Sequence, residues 1–134
     1  MRSLKFALAA LLFAPAAASP AAAAELTTQK SADRGVTVEV TPRNLSAGAG
    51  TWDFNVVLDT HAGDLNDDLV KTAALLDDKG RRHVPVQWDG PGPGGHHREG
   101  LLKFNAISPQ PAAIELQIQR TGESKPRSFR WQLK

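Results

Sequence analysis

From Gly35 onward the chain alternates apolar and polar residues. Val36, Val38 and Val40 fall on one face and Thr37, Glu39 and Thr41 on the other, which predicts a half-buried strand ended by Pro42. After a turn-rich gap over residues 44–50, Trp52, Phe54, Val56 and Leu58 alternate with Asp53, Asn55, Val57 and Asp59, the clearest strand pattern in the chain. The apolar stretch from Leu69 to Leu76 fits a helix or a strand. The tight-turn sequence Asp77-Asp78-Lys79-Gly80 and the alternation of Val84, Val86 and Trp88 favour a hairpin. Leu102 and Phe104, then Ile114, Leu116 and Ile118, then Phe129, Trp131 and Leu133 mark three more strands. The segment 63–69 has the makings of one helical turn capped by Asp64. Seven short strands separated by turn chemistry predict an all-β, antiparallel, immunoglobulin-like sandwich over residues 35–134.

The residues before this domain read differently. Arg2 and Lys5, the apolar run from Phe6 to Ala14, and the small residues Ala22, Ala23 and Ala24 form a secretory signal over residues 1–24. Residues 25–34, ELTTQKSADR, lack periodicity and are expected to be a flexible leader. The expected destination is the periplasm or the exterior, with no transmembrane segment left after cleavage. The chain holds no cysteine, so an exported domain must rely on its core alone.

Charge narrows the choice of partners. The 16 basic and 14 acidic side chains become 14 of each once Arg2 and Lys5 leave with the signal. Such a balance lacks the concentrated positive footprint of nucleic-acid binding. Acids gather between Asp53 and Asp78 and bases from Arg98 onward, so the two halves are expected to meet within one fold.

Candidate chemistry sits in two motifs, Asp59-Thr60-His61 and the loop GPGPGGHHREG over residues 90–100. Because connections alternate between the ends of a sandwich, the links after the second and fourth strands share one end. That brings His61 to the same rim as His96 and His97. His83 belongs at the other end. Asp59, His61, His96 and His97 form a nitrogen and oxygen set suited to Cu(II) or Zn(II). His61 and one of the adjacent pair are the expected imidazole ligands, since neighbouring side chains in an extended segment diverge. The bland counterpart is that an imidazole beside an aspartate pins a loop by a hydrogen bond.

Other motifs add little. Asp64-x-Asn66-x-Asp68 opens like a calcium loop, but Leu69 and Leu75 stand where that loop needs glycine and glutamate. Trp52, Trp88 and Trp131 follow strand patterns and read as core. There is no Gly-x-Ser-x-Gly elbow and no cysteine nucleophile, and the expectation is a protein that is not an enzyme.

The segments WDFNVVLDTH, DLNDDL, LLDDKG, PVQWDG and GGHHREGLLKF together resemble an uncharacterised family of small bacterial exported immunoglobulin-like domains with DTH and GGHHR motifs. The resemblance spans Val36 to Leu133 and implies an envelope location. Two functions follow as expectations. One is an exported module that binds Cu(II) or Zn(II) through the rim cluster for metal handling or delivery. The other is an interaction or assembly domain that binds an envelope protein partner and keeps its histidines for structure.

Overall fold

A computed structural model describes residues 26–134; the secretory signal expected over residues 1–24 lies outside the described residues. Nine strands and one helical turn follow in the order β1 (Gln29–Asp33), β2 (Val36–Asn44), β3 (Thr51–Thr60), α1 (Leu69–Thr72), β4 (Ala73–Asp77), β5 (Arg82–His83), β6 (Gln87–Asp89), β7 (His97–Asn105), β8 (Ala113–Ile118) and β9 (Arg127–Gln132). They form two antiparallel sheets, β1-β2-β3-β7-β6 and β5-β4-β8-β9. The order β2-β3-β7-β6 facing β5-β4-β8-β9 is that of the strands A-B-E-D and C′-C-F-G in an immunoglobulin sandwich. The fold is an all-β sandwich, with nine strands rather than the expected seven.

Alternation builds the core as the sequence predicts. Val38, Val40, Trp52, Phe54, Val56, Leu58, Leu102 and Phe104 from one sheet meet Leu75, Leu116, Ile118 and Phe129 from the other, all buried. Phe54 packs edge-on against Phe104 at 5.6 Å between ring centroids and tilts against Trp131 at 5.7 Å. The first contact joins neighbouring strands of one sheet, and the second ties the two sheets together.

Four local expectations change. Residues 29–33, read as part of a flexible leader, form the edge strand β1. Its main-chain carbonyls at Ser31 and Asp33 accept hydrogen bonds from Arg127, and Gln29 pairs with both backbone groups of Arg130 on β9. Pro42 does not end its strand: β2 runs on to Asn44 through a register shift between Pro42 and Asn44. The helical turn lies at Leu69–Thr72 and is capped by Asp68, not Asp64, because Asp68 Oδ1 accepts from the amide of Val70.

The expected hairpin is real but short. Only Leu75↔His83 and Leu76↔Arg82 pair before the chain crosses, through buried Pro85, to the other sheet. Proline lacks the amide that a longer ladder would use. Gln87–Asp89 therefore pair with β7 in the other sheet.

Candidate functional site: the histidine rim

The pleat of β3 sends Trp52, Phe54, Val56 and Leu58 inward and leaves Asp53, Asn55, Val57 and Asp59 on the outer face. On β7 the same rule buries Arg98, Leu102 and Phe104 and turns His97 and Glu99 outward. The register Asp59↔His97 places these two side chains directly opposite each other. His97 Nδ1 lies 2.5 Å from Asp59 Oδ1, and His97 Nε2 lies 3.9 Å from Glu99 Oε2. Asn55 Nδ2 donates to Glu99 Oε1 at 3.3 Å. The hydrogen bond to Asp59 and its charge, joined by the charge of Glu99, raise the His97 pKa above 6.5 against an opposing effect of desolvation.

The rim that carries this row is held by other groups. Thr60 N–H donates to His96 O at 2.9 Å, Leu65 N–H to Gly95 O at 2.9 Å, and Gly94 N–H to Leu65 O at 2.8 Å. Gly95 adopts φ 75°, a left-handed conformation that lets the loop turn into β7. Beneath it, the buried Arg98 guanidinium donates to Asp67 O at 2.6 Å, Pro91 O at 3.0 Å and Leu65 O at 3.3 Å. It thus clamps the 61–68 and 90–95 connections to each other.

Burial lowers the Arg98 pKa while the charges of Asp67 and Asp68 oppose that. The guanidinium also lies 5.7 Å from the Trp88 ring centre, and Trp88 Nε1–H donates to Pro91 O at 2.8 Å. The indole lies so close to Gly100 that a Cβ there would sit 2.9 Å from the ring and 2.5 Å from Asp89 O. A glycine is required at that position.

Two more arginines serve the same end. Arg120 Nε meets Asp67 Oδ2 at 3.0 Å, an ion pair between the acidic first half and the basic second half. Arg127 binds Glu123 at 2.7 Å and donates to Val36 O at 2.7 Å.

The convergence of the two motifs is therefore present, with a different pairing from the expected one. Asp59 meets His97 rather than acting beside His61. His61 is exposed and lines a shallow depression with Ala32, Asp33, Arg34, Gly35, Val36 and Thr37. His96 is exposed and contributes its backbone carbonyl. His83 lies at the opposite end, as expected, 3.2 Å from Asp77. Among the described residues no three histidine, aspartate or glutamate side chains converge as a metal-holding group.

Two residues of the rim escaped the sequence reading in their true roles. Arg98 carried a signal, since it stands in phase with Gly100, Leu102 and Phe104. The pairing of Glu99 with His97 and Asn55 depends on the β3–β7 register.

No known family model matches the chain, and no curated protein does. The chain is similar to the crystal structure of a DUF4426 family protein from Pseudomonas aeruginosa PAO1, at 18% sequence identity and a TM-score of 0.46, over 76% of this chain and 93% of that one.

Proposed function

We propose that this chain is an exported binding module of the bacterial envelope that takes Cu(II) or Zn(II) at the Asp59–His97–Glu99 row. The observation that carries the reading is the exposure of that row on a rim whose shape is fixed by Arg98, Trp88 and backbone bonds. His97 and Asp59 have side chains 59% and 51% exposed, and an exposed pair of this kind contributes little to stability. The histidine is thus free for another task. Its Nδ1 is engaged by a carboxylate, which leaves Nε2 toward Glu99; a carboxylate that orients an imidazole in this way is the usual outer support of a metal-ligating histidine.

His97 Nε2 and Glu99 would hold the ion, with Asp59 as the orienting partner. Imidazole with carboxylate suits both metals. The signal sequence and the family resemblance support the envelope location. Metal handling or delivery fits a surface row in which each chain supplies only two ligands of its own and leaves the rest of the ion's coordination to another ligand set.

The test is a calorimetric titration of the purified protein with Zn(II) and Cu(II). Micromolar binding is expected in the parent. It should be lost in His97→Ala and weakened about 10–100-fold in Asp59→Asn. Equal binding by the parent and His97→Ala overturns the reading.

The second reading, an interaction or assembly domain with structural histidines, draws on Val84 and Val86. Both are exposed where the chain crosses between sheets. A binding partner captured through these valines, with no metal affinity, would favour it.

A further inference from the structure

We infer that the ion is shared by two copies of this chain, which meet outer face to outer face with their His97–Glu99 rows on a two-fold axis. The inference rests on the metal reading above.

The first argument is ligand number. Zinc takes four ligands, tetrahedrally arranged. One copy offers two, His97 Nε2 and Glu99, and among the described residues no third side chain joins them. A two-fold operation doubles two to four, and a closed two-fold pair needs only one self-complementary patch.

The second argument is the shape of the surface. The row lies on the outer side of β3 and β7, inner strands of the five-stranded sheet, at the rim end where β6 no longer pairs with β7, rather than in a cleft. A second sheet can approach it without displacing a wall. Half-buried Val57 and Leu101 flank Glu99 on that face and supply apolar contact beside the ion.

The third argument is charge. The outer face carries five acids, Glu39, Asp53, Asp59, Asp89 and Glu99, against two lysines, Lys103 and Lys30, the latter paired to Glu39 at 3.7 Å, so acids outnumber bases on it. Two such faces repel each other when brought together bare. A divalent cation between them reverses that repulsion, so association depends on the metal.

Sedimentation velocity on the purified protein, with and without Zn(II), tests this. A monomer is expected in EDTA. Zn(II) should double the mass, saturating at half an equivalent per chain, and EDTA should reverse the change. His97→Ala should stay monomeric throughout. Val57→Arg, a change on an outward strand position that leaves both ligands in place, should bind Zn(II) yet shift strongly toward monomer. Saturation at one equivalent per chain with unchanged mass overturns the shared site and leaves the metal reading standing. Absence of calorimetric binding removes both. A dimer in EDTA, or a Zn(II)-induced dimer of His97→Ala, also overturns the inference.

Discussion

Two histidine–aspartate pairs stand at opposite poles of this sandwich, and they differ in nearly everything except residue type. At the β4–β5 turn, His83 Nε2 lies 3.2 Å from Asp77 Oδ2, and the Asp77 side chain is only 7% exposed. Its other oxygen accepts from the amides of Lys79 at 2.9 Å and Arg81 at 3.0 Å, so it organises the turn. Burial pushes the Asp77 carboxyl up, but the Arg81 amide, His83 and the Lys79 amide outweigh that and hold it below 3.8. At the other pole, Asp59 and His97 are more than half exposed, and among the described residues Asp59 accepts from no backbone amide. The number of shared bonds and the depth of burial separate a structural pair from an available one.

Three substitutions break or sharpen this contrast. The largest effect is expected from Arg98→Ala, which strips donors from the carbonyls of Leu65, Asp67 and Pro91. It should cost about 3 kcal/mol in urea unfolding and speed amide exchange across residues 90–97. A cost near zero would mean that the rim is held by something else, and the histidines would return as structural candidates.

Asp77→Ala comes next, at about 1–2 kcal/mol near neutral pH. Because the folded-state pKa of Asp77 lies below its unfolded value, its contribution is present above pH 3.8 and lost as pH falls through the folded value. The gap between parent and variant should therefore close in acid. A constant gap from neutral to acidic pH would show that the charge of Asp77 is irrelevant to the turn.

Asp59→Asn should do least to stability, leaving the unfolding midpoint where it was. Its effect belongs in an NMR titration, where the His97 pKa should fall back toward 6.5. A raised pKa favours the charged imidazole in the fold. Whatever stability the pair gives is present below pH 6.5 and fades as pH rises through the folded value. If His97 titrates identically in the parent and in the Asp59→Asn variant, the short contact does not persist in solution.

Much of this was legible in the sequence, and the failures have physical causes. Strands β2, β3, β8 and β9 bury one face only, so period-two alternation is written plainly into them. Strand β1 is not legible in the sequence because QKSAD has no apolar period. It is held by its backbone, by Gln29 and by the guanidinium of Arg127, which stands in phase with Phe129 and Trp131. The turn at Leu69–Thr72 and the crossing at Pro85 are hidden within what looks like a single hairpin because their apolar residues also fit a strand.

For the site, alternating connections correctly brought His61, His96 and His97 to one rim. The partner of Asp59 was hidden because a register between β3 and β7 depends on backbone closure around Gly94 and Gly95, which no local pattern encodes.

The course of β1 and β9 has one more consequence. Both run between the histidine rim and the far pole, where Trp131 Nε1–H donates to Thr27 O and where Leu26 and Leu133 pack against the core. Whatever is joined upstream of Leu26 or downstream of Leu133, whether an affinity tag, a tether to a surface or another domain, is anchored at the base of the sandwich. The imidazoles would then face outward from such an attachment, like the working end of a tool held by its handle.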